Sequence, residues 1–350
     1  MGWVFDLLRC GSCRFSAYYA LPFYAALADA GQLNAGWLVW GAVYWSLFSL
    51  GTELINRLSD RVEDATNRPE RTRMCHTVGY NRLARINTMA WIAVAAMAAI
   101  TVALHPQVPL AVFLALGILS SINYSYGIRL KKRRYLALFV LTFPYGGTFF
   151  TGWTAAYPPG TMPYWFDDLL FRTGPFLLVG GMFMYSLAGI KDITDIEGDE
   201  KIGYRGLLVT LVKRYSRGLL MAFISAPFIT LAILLLKGLL PPRYGVLFPA
   251  WPMSWLLVLC VRKAAAPPER KMAREFFYHL WMAFMAIEMF LYVSEPCMLW
   301  VIFGVLAYWI ATTQWLHWHG GVWRRDLETF STMVRQAIFG IDAQVENGEQ

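Results

Sequence analysis

Charge is scarce in this chain, and so are cysteine and histidine. Only 15% of the 350 residues are Asp, Glu, Lys or Arg, while 57% are hydrophobic; soluble domains carry about a quarter charged residues. A soluble monomer cannot hide that much apolar surface, which excludes the soluble, disordered and collagenous classes. The five cysteines, Cys10, Cys13, Cys75, Cys260 and Cys297, form no disulfide framework. Cys10 and Cys13 have C-x-x-C spacing, but neither further zinc ligands nor a thioredoxin-like context accompanies them, so all five read as reduced, packed thiols. No Gly/Ser or Pro-rich linker divides the chain. The first residues lack a basic, serine-rich leader, and Asp6 leaves no myristoylation signal; a prokaryotic cytoplasmic membrane is the expected location.

The excess of basic residues, 31 against 23 acidic for a net charge of +8, does not point to nucleic acid, because the basic residues fill short gaps between apolar runs. Ten runs long enough to span begin near Ser16, Trp37, Thr88, Val108, Leu136, Phe171, Leu219, Val246, Phe276 and Cys297, each close to the ~20 residues a bilayer crossing needs. Alternate connections differ in charge. One set holds Arg57 to Arg85, Arg129 to Arg134, Lys191 to Arg217 and Arg262 to Arg274; the other holds only Arg172, Lys237 and Arg243. By the positive-inside rule the rich set is cytoplasmic. The expected fold is all-α: a polytopic membrane bundle of nine or ten helices around a central chamber, one domain over residues 1–320, followed by a polar tail over 321–350.

Two basic connections follow helices whose last turns are loaded with carboxylates. Asn56, Asp60 and Asp64 are spaced four apart, and Asp192, Asp195 and Asp199 three and four apart, so each trio falls on one helical face. Both lie on the same side of the membrane. Two facing rows of acids would repel unless cations stood between them. Magnesium suits hard oxygen ligands and is commonly held by one or two carboxylates together with substrate phosphates, so the two rows describe a diphosphate clamp. Arg68, Lys201 and Arg205 follow the rows, and Tyr126, Arg129 and Lys131 close a third connection on the same side.

These residues carry a resemblance. Asn56-x-x-x-Asp60-x-x-x-Asp64 with Asn67-Arg68-Pro69, Tyr124-Ser-Tyr126-Gly-Ile-Arg129-Leu-Lys131, and Lys191-Asp192-x-x-Asp195-x-x-Gly198-Asp199 with Lys201-x-Gly203-x-Arg205 together resemble the UbiA superfamily of intramembrane prenyltransferases. The resemblance implies Mg²⁺ and a prenyl diphosphate held by Asn56, Asp60, Asp64, Asp192, Asp195 and Asp199. It places Arg68, Arg129, Lys131, Lys191, Lys201 and Arg205 on the diphosphate oxygens, and it implies transfer of the prenyl group to an aromatic or other lipophilic acceptor. Asp60, Asp64, Asp192 and Asp195 are the expected catalytic core, with Tyr126 beside the diphosphate. The chain departs from the family pattern in having Arg57 where many relatives have Asp, in a second motif closer to the homogentisate and archaeal lipid branches, and in an apolar segment beyond the usual nine.

Breaking an allylic C–O bond puts positive charge on the prenyl chain and negative charge on the leaving diphosphate, so the clamp needs a dry, aromatic chamber beside it. Fifteen Trp, 18 Tyr and 23 Phe are ample for one, though most serve interfaces and packing. Glu53 extends the first row inward, and Glu288 with His279 occupies the ninth apolar segment; both are candidates for acceptor recognition or proton removal. His317 and His319 around Trp318 read as an interfacial cluster. Two other functions fit the pattern: a terpene cyclase using the same clamp on the donor alone, and a cation transporter, whose sites lie nearer the midplane.

Overall fold

The computed structural model describes residues 2–156, 169–195, 217–264, 266–293, 295–318 and 323–339. Its regular structure is entirely helical over these residues. In chain order the helices are α1 (Gly2–Cys10), α2 (Ser16–Asp29), α3 (Ala35–Ser59), α4 (Arg61–Asn67), α5 (Pro69–Val78), α6 (Tyr80–Leu104), α7 (Val108–Ser125), α8 (Arg134–Leu141), α9 (Gly146–Ala156), α10 (Gly174–Leu187), α11 (Arg217–Leu236), α12 (Ala250–Lys263), α13 (Pro267–Tyr292), α14 (Pro296–Thr312) and α15 (Trp323–Phe339). A 3₁₀ turn, Ala188–Asp195, continues α10. Among the described residues, six stretches are long and apolar enough to cross a bilayer: Ala35–Ser59, Tyr80–Leu104, Val108–Ser125, Phe171–Asp195, Pro242–Lys263 and Pro296–Leu316. The protein is an integral, multi-pass membrane bundle, and each of the ten apolar runs in the sequence coincides with helix.

Local chemistry sets the ends of these helices. Asn34 caps α3, its side chain accepting from the Trp37 N–H at 3.1 Å, which satisfies one of the free N–H groups of the first turn. Gly79, at φ 89°, reverses the chain between α5 and α6, a conformation L side chains resist. Along α6 and α7 the lipid-facing side keeps its apolar residues exposed, including Met89, Ile92, Ile100, Val112 and Leu119. In water such surface would aggregate; in lipid it is neutral.

The centre of the bundle is α2, buried along almost its whole length and packed against α3, α9, α13 and α14. Its approach to α9 depends on Gly152, where an added Cβ would lie 2.4 Å from the Phe23 carbonyl oxygen. Just before α2, Arg14 donates to both carboxylate oxygens of Glu275 on α13, at 2.6 and 3.0 Å. Both residues are buried, and the guanidinium lies about 5 Å from the ring centroids of Phe15, Tyr278 and Trp309. Planar charge against aromatic faces offsets part of its desolvation.

All five cysteines are free thiols, as expected, and the two ends of the chain add detail. Cys10 pairs spatially with Cys75, their sulfurs 3.6 Å apart, rather than with its C-x-x-C neighbour Cys13; α1 lies on α5 over a small core of Cys10, Leu54, Cys75, Val78 and Leu83. The expected polar tail includes α15, whose Phe330, Met333, Val334 and Ala337 pack onto the core, with Asp326 held by Lys271 at 3.3 Å. Their i, i+3, i+4, i+7 spacing is an amphipathic stripe that the scattered charges around it obscure in the sequence.

Mild oxidation with copper phenanthroline in membranes is expected to cross-link Cys10 to Cys75; recovery of a Cys10–Cys13 disulfide peptide instead would place α1 away from α5. Arg14→Met strands a buried carboxylate and is expected to lower unfolding stability by about 3–5 kcal/mol, read as a depressed thermal transition in detergent.

Candidate active site

The first acidic row is built by a helix that continues through two bends. Asp60 closes α3, and its N–H bonds the Asn56 carbonyl at 3.0 Å; the Asp64 N–H bonds the Asp60 carbonyl at 2.7 Å and the Arg68 N–H the Asp64 carbonyl at 2.8 Å. These i to i−4 bonds stack Asn56, Asp60, Asp64 and Arg68 one turn above another while the axis changes direction at Asp60 and Arg68. Pro69 opens α5 and keeps Arg68 out of the helical region, at φ −145° and ψ 66°. The second row stands on the 3₁₀ turn Ala188–Asp195, where residues three apart eclipse, so Asp192 and Asp195 share a face.

Arg68 spans the two rows. Its Nε and terminal nitrogen donate to the two Asp195 carboxylate oxygens, each at 2.6 Å, and the terminal nitrogen also donates to Thr194 Oγ1 at 2.7 Å. The other carboxylates have basic partners too: Lys131 on Asp60, Lys191 on Asp192, and Arg71 on Asp64 at 3.4 Å. The repulsion inferred from the sequence is therefore answered by the protein's own cations. Burial opposes the charge on Arg68, but the Asp195 and Asp64 carboxylates outweigh it and raise its pKa. Arg71 is pushed down to about 10 by burial, with Arg57 and Arg68 adding to the effect.

Two adjoining cavities meet at these groups. The smaller, about 80 Å³, is lined by Asn56, Asp60, Asp64, Lys131, Lys191, Asp192 and Asp195. The larger, about 180 Å³, shares most of these and continues past Glu53 to Phe15, Tyr18, Tyr19, Phe143, Tyr278 and Trp281. Tyr18 stacks on Trp281 at 4.2 Å between centroids, and its hydroxyl donates to the Tyr278 carbonyl at 2.7 Å. A polar mouth thus opens directly on an aromatic chamber. Among the described residues, no three His, Cys, Asp or Glu side chains converge closely enough to hold a metal ion unaided.

Residues 16–281 match the model of the UbiA prenyltransferase family. The chain belongs to that family. It is accordingly a membrane prenyltransferase. The fold is similar to a solved structure of a digeranylgeranylglyceryl phosphate synthase, at TM-score 0.55 and 13% identity, over 84% of this chain and 100% of that one. No curated protein matches the sequence.

For this UbiA-family enzyme the structure gathers Asn56, Asp60, Asp64, Arg68, Lys131, Lys191, Asp192 and Asp195 around the cavities. Asp199, Lys201 and Arg205 lie outside the described residues. Tyr126 and Arg129 are not brought in: both are exposed, because α7 ends at Ser125 and Arg129 takes a left-handed turn, φ 53°. Tyr124 lines both cavities instead, with the Lys191 ammonium 5.6 Å from its ring centroid. Sequence reasoning missed Arg14, Arg57, Arg71 and Arg274 as lining residues. Arg71, one turn after Arg68, could have been found from its spacing; Arg274 is delivered by α13 and has no local signal.

Arg68→Lys keeps the charge but loses the bidentate fork. Prenyl transfer is expected to fall at least about tenfold in a product assay, whereas an unchanged rate would show that the bridge between the rows is dispensable.

Proposed function

We propose that this enzyme is Mg²⁺-dependent and moves a prenyl group from an allylic prenyl diphosphate to an aromatic or other lipophilic acceptor, releasing diphosphate. The observation that carries this reading is the meeting of the two acidic rows, bridged by Arg68, at the mouth of one aromatic chamber. The donor's diphosphate sits at the mouth and its hydrocarbon among the aromatic side chains.

The residues present fit magnesium. The donors are hard oxygens from Asn56, Asp60, Asp64, Asp192 and Asp195 around one small cavity, and the lack of an all-protein cage suits an ion that keeps waters and shares substrate phosphates. Magnesium supplies neutralisation of the charge that develops on the leaving diphosphate. The protein's own cations share that task. Lys131, Lys191, Arg68 and Arg71 rest on carboxylates in this structure and are placed to exchange them for diphosphate oxygens. On the other side of the breaking bond, the faces of Tyr18, Tyr19, Phe143 and Trp281 stabilise the allylic cation by about 0.5–2 kcal/mol each and keep water away. The excess of basic residues on this side of the bundle supports a mouth that faces the cytoplasm.

Reconstituted protein offered geranyl, farnesyl and geranylgeranyl diphosphates with homogentisate, 4-hydroxybenzoate and an ether-linked glyceryl phosphate lipid is expected to release diphosphate only with acceptor and Mg²⁺ present, and mass spectrometry identifies the product. The last acceptor is included because of the fold relative's printed name. Asp60→Ala and Asp195→Ala are each expected to lower the rate at least about a hundredfold. Full activity in both variants would reject the clamp, and a cyclic product from donor alone would make the enzyme a cyclase.

A further inference from the structure

We propose that Glu53, braced by Arg57, is the acceptor-binding residue of this enzyme: its carboxylate takes a hydrogen bond from the acceptor's hydroxyl and receives that proton as the prenyl group is transferred. The inference rests on the prenyl-transfer reading above.

Five acids line the larger cavity, Glu53, Asp60, Asp64, Asp192 and Asp195. Glu53, on the inward extension of the first row, is the one of the five absent from the small cavity at the mouth. It stands on α3 three residues before Asn56, about 4.5 Å along the axis, on the aromatic side of the clamp. The position has been built. Arg57, buried to 3% exposure, is ion-paired with one oxygen of Glu53 and lies 3.4 Å from Ser12 Oγ. The glutamate is the more open partner, at 18% side-chain exposure, and its second oxygen accepts no hydrogen bond from the described residues.

A buried ion pair in a membrane bundle is a poor source of stability, since apolar side chains of the same size serve as well or better. Its retention beside the chamber calls for a use. Arg57 holds the Glu53 carboxylate in place from one side. Other polar groups that share the chamber with Glu53 are Tyr19 of α2, Tyr124 of α7, Arg14 before α2, Lys191 on the 3₁₀ turn, and Arg274 and Tyr278 of α13. None of these is a carboxylate.

The donor's C1–O bond breaks with its electron pair leaving on diphosphate. With an alcohol acceptor the hydroxyl oxygen supplies the pair for the new bond to C1 and its proton passes to the Glu53 carboxylate; with a phenol attacking through ring carbon, loss of the hydroxyl proton to Glu53 leaves a dienone, whose ring proton then moves to the phenolic oxygen as the ring rearomatises. A proton transfer of this kind contributes about 10²–10⁴-fold.

The test compares wild type with Glu53→Gln, using whichever of the three acceptors above turns over and its O-methyl ether. Glu53→Gln is expected to raise the acceptor KM at least about tenfold and to lower the transfer rate at least about a hundredfold. Donor KM and Mg²⁺ dependence are expected to stay at wild-type values. The methyl ether, lacking the O–H, is expected to be poor with wild type and no worse with the variant. Unchanged acceptor KM and rate in Glu53→Gln, or equal losses against donor and acceptor, would overturn the proposal. If Glu53→Gln loses its thermal transition, Glu53→Asp keeps the charge and withdraws it by one methylene; it is then expected to weaken acceptor KM alone, and a wild-type KM would be equally fatal. Wild-type protein that transfers no prenyl group would sink the functional reading itself, a separate outcome.

Discussion

Carboxylates cannot be gathered at the end of a membrane bundle without compensation, and the structure is organised around that constraint. Each acid of the two rows described here has a basic partner, and the bidentate Arg68 to Asp195 contact joins one row to the other. In a region of low effective dielectric an unpaired charge costs several kcal/mol, and pairing offsets it only when the geometry is good. The Arg68 to Asp195 pair also holds the end of α4 against the 3₁₀ turn after α10, so the site and the local fold share a contact.

In the proposed reaction the pairing also prepares the site for chemistry. Cations that neutralise carboxylates in the resting protein are the ones best placed to meet an incoming polyanion, while the carboxylates they release are the oxygens a divalent ion prefers. Charge is exchanged between partners with little change in net charge. Beyond the mouth the lining becomes aromatic within about one helical turn, and Glu53 with Arg57 marks the boundary. The gradient from ionic to aromatic follows the polarity of an amphiphilic substrate whose reacting carbon lies between its two halves.

Much of this was legible in the chain. Apolar runs announce spans because lipid requires helical backbone, and four-residue spacing announces Asn56, Asp60 and Asp64. The same logic worked at Asp192 and Asp195 for a different reason, since the turn is 3₁₀ and eclipses residues three apart. Tyr126 and Arg129, expected from the resemblance rather than from spacing, lie past the end of α7 and outside the lining of both cavities. Spacing was silent about Arg274 and Trp281, which α13 delivers from far along the chain, and about the contact of Cys10 with Cys75, which displaces the nearer pair. The stripe on α15 was hidden because charged neighbours dilute its apolar residues.

By itself the sequence determined that the protein is helical, lives in a bilayer and carries two acidic rows with basic residues after them. Those properties follow from periodicity and hydropathy, which act over a few turns. Only the tertiary structure decided that the rows share one cavity, which cations neutralise them, which aromatic faces line the chamber and that Arg57 holds Glu53. Most of these depend on contacts between residues tens to hundreds of positions apart, and local spacing carries no information about which helices pack together.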